Sequence, residues 1–239
     1  MEFILDKKPK EPIIIDGFPG LGLVGTIATE FLIEHLGAKE IGRIKGNEFP
    51  PLVAVHDRKI VRSVGIFYDE KTNIMILHVI SGATGMEWQI ADALIEKAKQ
   101  LNAKEIISLE SVGVPAGEES DVSRAFYYTN KKENEKKLEK AGVQALKEGI
   151  IMGVTGALMQ RVGKEIPFTS VFAETHSGLP DSKAAAKLIE VIDKYLNLDV
   201  DPKPLLESAA KFEQKLKLLL EKSKTAVTEQ QKKKLSYVG

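Results

Sequence analysis

Apolar residues along the chain recur with two different periods, and the switches between them mark out the elements. Pro12-Ile-Ile-Ile-Asp16 is a short apolar run that reads as a buried strand. Val24, Ile27, Ala28, Phe31 and Leu32 then share one face of a helix that Gly37 stops. The helical period disappears after that. Residues 40–45, 52–56, 60–68 and 73–80 read as strands, with Asp57-Arg58-Lys59 and Asp69-Glu70-Lys71-Thr72 as hairpin-like turns. A helix returns up to Leu101, its inner face formed by Trp88, Ala91, Leu94, Ile95, Ala98 and Leu101.

The second half alternates in the same way. Residues 104–108 are a strand, 110–121 a loop marked by Gly113, Pro115 and Gly117, 124–129 a further strand and 131–140 a charged surface helix. Gly149-Ile-Ile-Met152 reads as a strand that runs through Gly153-Val-Thr-Gly156 into a helix, and 168–174 as another strand. Asp181 suits the N-cap of a helix that carries Ala185, Leu188, Ile189, Ile192, Tyr195 and Leu196 on one face. Strands alternate with helices at both ends and hairpins interrupt them. The expected fold class is therefore α/β, a layered mixed sheet flanked by helices.

Residues 1–200 are expected to form this domain. Asp199-Val-Asp-Pro-Lys-Pro204 is the boundary, and Asp201 and Pro202 suit the start of another helix. Leu205, Ala209, Phe212, Leu216 and Leu219 follow at four-three-four-three spacing, so 201–222 is expected to pack on the body or on a partner chain. Residues 223–239 are polar and lysine-rich, a flexible tail that ends in Leu235-Ser236-Tyr237-Val238-Gly239. Such a tether, with apolar and aromatic residues next to a free carboxylate, suits insertion into a pocket on another protein, or it is simply a disordered terminus.

Composition narrows the function classes. The 34 basic residues equal the 34 acidic ones, which argues against bulk nucleic-acid binding. The chain has no cysteine, so disulfides, thiolate metal sites and cysteine nucleophiles are excluded. No apolar run is long enough to span a membrane and the N-terminus does not read as a signal peptide, so a cytoplasmic protein is expected. The four histidines, at 35, 56, 78 and 176, do not pair at metal-ligand spacing. His35 is expected to cap carbonyls at a helix end, and His56 and His78 to be structural.

Three features carry candidate chemistry. Gly20-x-Gly22-x-x-Gly25 follows a strand and opens a helix, as in a dinucleotide fingerprint. The acid that should end the next strand is missing, however, and hairpins follow where a βαβ repeat should continue. The glycines are therefore expected to serve close strand–helix packing, with no cofactor. Gly153-x-x-Gly156 is either a second wall of the same crevice or an ordinary connection. Glu174-Thr175-His176-Ser177 puts a carboxylate, an imidazole and a hydroxyl near a strand end, although neighbours on a strand point to opposite faces. Glu110, Glu118, Glu119 and Asp121 are loop acids without fixed ligand spacing, and neither a catalytic nor a metal site is assigned.

Taken in order, Gly17-Phe-Pro-Gly-Leu-Gly-Leu-Val-Gly25, Phe49-Pro-Pro51, Gly113-Val-Pro115, Gly149-Ile-Ile-Met-Gly-Val-Thr-Gly156, Ala173-Glu-Thr and Leu179-Pro-Asp181 resemble the archaeal proteasome assembly chaperone family over about residues 10–222. The resemblance implies a phosphorylase/hydrolase-like α/β fold without established catalysis. It also implies a homo-oligomeric, ATP-independent helper of the proteasome core particle, a small ring. Relatives with such tails end in hydrophobic-Tyr-any and insert the tail between α subunits of the core particle, where a lysine pairs with the carboxylate. Carried over, Leu235, Tyr237, Val238 and Gly239 are the partner-binding residues, with Tyr237 third rather than second from the end. The alternative is a phosphorylase- or hydrolase-like enzyme that uses the glycine-lined crevice. A filled crevice with no convergent polar groups would favour the binding protein, and a deep pocket joining Gly20, Gly22 and Gly153 with Glu174 or His176 the enzyme.

Overall fold

The computed structural model describes residues 1–46, 53–56, 59–82, 84–113, 123–175, 179–204 and 206–207, and for 53–56 and 59–61 it describes the backbone. The elements run β1 (Glu2–Leu5), β2 (Ile13–Gly17), α1 (Val24–Leu36), β3 (Lys39–Lys45), β4 (Val53–His56), β5 (Lys59–Arg62), β6 (Val64–Asp69), β7 (Ile74–Val79) and α2 (Glu87–Leu101). They continue with β8 (Glu105–Gly113), β9 (Ala125–Thr129), α3 (Lys132–Lys140), β10 (Gln144–Ala145), α4 (Gly153–Arg161), β11 (Phe168–Thr175) and α5 (Ser182–Leu196).

One mixed sheet has the order β1-β3-β6-β7-β2-β8-β11-β9-β10, and β4 and β5 form a separate hairpin. Its centre, β7-β2-β8-β11, is parallel throughout. Every residue of β7 and β11 is buried, as expected for strands covered on both faces. Two cores result. On one face Val24, Ile27 and Leu32 of α1 meet Leu188, Ile189 and Ile192 of α5 over Ile15, Ile107 and Val171. On the other, Ile90, Leu94 and Ala98 of α2 and Val154 and Leu158 of α4 cover Ile14, Leu77, Ile106 and Phe168. The mixed sheet and its helical layers thus match the expected α/β class.

The structure corrects several boundaries. The apolar run 60–68 is broken at Ser63 into β5 and β6, which belong to different sheets. β8 continues through Glu110 to Gly113, because its parallel register with β11 extends from Ile106 to Gly113. Gly149-Ile-Ile-Met152 is not a strand: Ile150 and Met152 are 90% and 77% exposed, and β9 is bordered by β10 instead. Gly153 and Gly156, expected in a turn, lie inside α4. Trp88 does not face the core; it stacks under the Arg161 guanidinium at 5.1 Å, and Ile90 takes the buried position. β1, which pairs antiparallel with β3, lies on a segment without a periodicity of its own. Beyond the domain, Asp201 Oδ1 accepts the Lys203 N–H at 2.9 Å, as at a helix start, and the stripe Leu205, Ala209, Phe212, Leu216 and Leu219 lies outside the described residues.

Candidate functional site

Gly17, Val79, Gly113 and Thr175 close the four parallel strands at one end of the sheet, where ligand crevices form in open α/β folds. The glycine-rich turn lies there. Residues 21–23 make a single 3₁₀ turn in which Gly22 has φ +65°, a conformation strained for any residue with a Cβ. The Gly22 carbonyl accepts the Asp181 N–H at 2.8 Å, and Thr175 Oγ1 donates to Asp181 Oδ2 at 2.7 Å. Asp181 Oδ1 accepts the Ala184 N–H at 3.0 Å and so caps α5 as expected. Three residues after Gly22, in the first turn of α1, the backbone passes so close to β8 that a Cβ on Gly25 would stand 2.2 Å from the Leu109 carbonyl oxygen. Close packing is thus what the glycines serve.

Beside this turn lies a row of polar side chains on the α2/α4 face of the sheet. Asp16, Ser108 and Ser170 occupy neighbouring register positions on β2, β8 and β11, and all three are buried. Ser108 Oγ donates to Asp16 Oδ2 at 2.9 Å, and Asp16 Oδ1 has no hydrogen-bond partner. Burial pushes the Asp16 carboxyl up to about 8, opposed by the Ser108 hydrogen bond and reinforced by the Glu110 charge. Two positions along β8, Glu110 accepts the Ser111 N–H at 2.9 Å and the hydroxyls of Ser111 and Thr155 at 3.3 Å. Burial still raises its carboxyl to about 7. A Cβ on Gly20 would sit 2.5 Å from Glu110 Oε1. The glycine turn therefore faces a carboxyl group on the side where a pyrophosphate would need donors.

The expected catalytic cluster does not assemble among the described residues. Glu174 forms a bidentate pair with Arg124, at 2.8 Å to Nε and 2.7 Å to Nη2. Thr175, next along the strand, points the other way to Asp181. His176, Ser177, Glu118, Glu119, Asp121 and Phe49-Pro-Pro51 lie outside the described residues, as does the tail with Leu235, Tyr237, Val238 and Gly239. His78 is structural: buried, with Nδ1 2.9 Å from Thr29 Oγ1 and Nε2 2.9 Å from Glu30. His35 does not cap carbonyls; its ring stacks on Phe31, and the backbone of Gly37 and Ala38 closes α1 instead. Among the described residues no three His, Asp or Glu side chains converge as a metal site. Asp16, Ser108 and Thr155 were not foreseen; the available signal was a lone acid that ends an all-isoleucine strand.

The sequence profile of the PAC2 family matches residues 14–220. The chain belongs to the PAC2 family. It is 30% identical to Pyrococcus furiosus PbaA, described as an archaeal homolog of proteasome-assembly chaperone; the match covers 94% of this chain and 98% of that one, with a TM-score of 0.83. Pyrococcus furiosus PbaB, described as an archaeal proteasome activator, shares the fold at 23% identity and a TM-score of 0.73, over 91% of this chain and 97% of PbaB. An uncharacterized protein of Methanocaldococcus jannaschii is 28% identical over 96% of this chain and 94% of its own length. Three of the motifs shared with the PAC2 family resemblance carry exposed apolar side chains: Leu21, then Ile150 and Met152, then Leu179. No described helix is long and apolar enough to cross a membrane.

Proposed function

We propose that this PAC2 protein is a non-enzymatic, ATP-independent proteasome assembly chaperone or activator. It works as a homo-oligomer and binds α subunits of the proteasome core particle through its C-terminal tail. The observation that carries the reading is the PAC2 match over residues 14–220, together with 30% identity and a TM-score of 0.83 to PbaA. The strand-end crevice supports a binding role, since Glu110, Glu174, Thr175 and Asp181 are engaged by neighbouring side chains rather than turned toward a vacant centre. The exposed Leu21, Ile150, Met152 and Leu179 add apolar surface suited to a protein partner.

Within this reading, Leu235, Tyr237 and Val238 enter the pocket, and the Gly239 carboxylate pairs with a cation there. Pull-down of proteasome α subunits by the full-length protein, and loss of capture when the last few residues are deleted, is the expected result. Equal capture by both forms would assign the contact to the folded body.

A further inference from the structure

Where the parallel strands begin, at the opposite end of the sheet from the glycine turns, lies a cleft of about 420 Å³. That size suits a small metabolite. Its floor is Glu105, the first residue of β8, buried beneath α3 and α5. Three donors converge on this carboxyl: Thr169 Oγ1 at 2.5 Å, Asn134 Nδ2 at 2.8 Å, and the Tyr195 OH, which lies 2.9 Å and 3.0 Å from its two oxygens. Burial nonetheless raises its pKa above the ordinary glutamate value, and the same burial beside Glu105 raises that of Tyr195.

Asn134 is the residue that this network leaves incomplete. It is more than nine-tenths buried on the cleft lining, and its Nδ2 donates to Glu105. Its Oδ1 accepts no hydrogen bond from any described residue. That oxygen is not among the fully buried unpaired acceptors, so on a residue of the cleft lining it is open to a donor that enters the cleft.

The mouth of the cleft is cationic. Lys104, Lys131 and Lys137 line it against one exposed acid, Glu133. Lys131 Nζ donates to the Lys164 carbonyl at 2.9 Å, while among the described residues Lys104 and Lys137 have no ion-pair partner. The first turn of α3 forms part of the same wall, and its N-terminus has no side-chain cap. The amides of Lys131, Asn134 and Glu135 are already engaged, which leaves those of Lys132 and Glu133, and these with three ammonium groups suit a compact dianion better than a single carboxylate.

We propose that this cleft binds a small phosphate monoester that carries a hydroxyl group. The phosphate lies on Lys104, Lys131, Lys137 and the first turn of α3, and the hydroxyl donates to Asn134 Oδ1. The site stands apart from the tail and does not rest on the proteasome reading.

Calorimetric titration of the full-length protein at low salt, with glycerol phosphate as the probe, tests this directly. Inorganic phosphate and glycerol serve as the comparison arms. The expected result is saturable binding of glycerol phosphate, about 10-fold weaker binding of inorganic phosphate, which lacks the hydroxyl contact, and none of glycerol. The double variant Lys104→Gln/Lys137→Gln removes exposed side chains only. It should melt like the parent protein in the absence of probe and bind glycerol phosphate at least about 10-fold more weakly. Absence of saturable binding, unchanged affinity in the double variant, or equal affinities for the ester and inorganic phosphate would each overturn the proposal.

Discussion

Asp16 sits in the middle of a parallel sheet, where an ionised carboxylate is costly and one of its oxygens has no partner. Its pKa is raised from 3.8 to about 8 and that of Glu110 from 4.5 to about 7, so the folded protein holds both protons more tightly than the unfolded chain. These groups therefore contribute full stability only below about pH 4. That contribution falls as pH rises through the window from about 4 to 8, and is level above it. Asp16→Asn keeps an acceptor for Ser108 and cannot ionise. Its melting temperature should exceed that of the parent at pH 9, by an amount equivalent to at least ~1 kcal/mol, and the gap should shrink toward pH 5. A gap that widens on acidification in thermal melts would refute the protonated-carboxyl account. Glycine positions make an equally local statement. Gly25→Ala drives a Cβ into the Leu109 carbonyl, which is backbone and can yield only if α1 moves off β8. A loss of about 1–3 kcal/mol in urea denaturation is expected; an unchanged midpoint would mean that the helix shifts freely.

At the scale of elements, period and composition revealed those that bury a regular face. The α1 and α5 stripes, the β6–β7 hairpin and the buried strands β2, β7 and β11 follow from where the apolar residues fall. What stayed hidden depended on partners distant in sequence. β8 extends past Ser108 because β11 holds it in register, and the sequence of 109–113 alone looks like the start of a loop. Gly149-Ile-Ile-Met152 has strand composition without a strand to pair with, so its side chains reach solvent. Asp16 was legible as the end of a strand, whereas its coupling to Glu110 spans almost a hundred residues and appears only once β2 and β8 are adjacent. Caps are the opposite case: Asp181 is read from local spacing, and the structure adds that it also takes the Thr175 hydroxyl. Asp181→Ala should thus cost more than an ordinary cap, at the upper end of about 0.5–2 kcal/mol. Asp181→Asn keeps an acceptor for the Ala184 N–H, and its Nδ2 can donate to Thr175 Oγ1 in place of the bond lost, so it should recover most of that in the same chemical melts; no recovery would argue that charge rather than capping matters.

For the molecule as a whole, the PAC2 fold accounts for residues 14–220, and the final lysine-rich stretch lies beyond that match. If the tail is a docking element and not part of the core, the two should be separable. Tyr237→Ala is expected to weaken binding to the assembled core particle by ~2 kcal/mol or more, with melting temperature and light-scattering mass unchanged. A fall in melting temperature, or a change in oligomer size, would place the tail within the folded assembly instead. Lysines 232 to 234 should add a salt dependence to the association rate.

The sheet also has a border, and its shape constrains how copies of the chain can meet. The outermost described strands are β1, with four residues, and β10, with two. A strand offers a template for another only through a row of unpaired amides and carbonyls, and such short margins offer few. Extension of one sheet into the next, the route by which exposed strands recruit one another into fibrils, therefore finds little purchase here. Under the proposed oligomeric reading, contacts between copies of the chain would fall to helices and loops, whose side chains can be selective in a way that backbone ladders are not. Under the proposed assembly role this matters, because the described large sheet presents few strand-pairing groups on which other chains could be trapped.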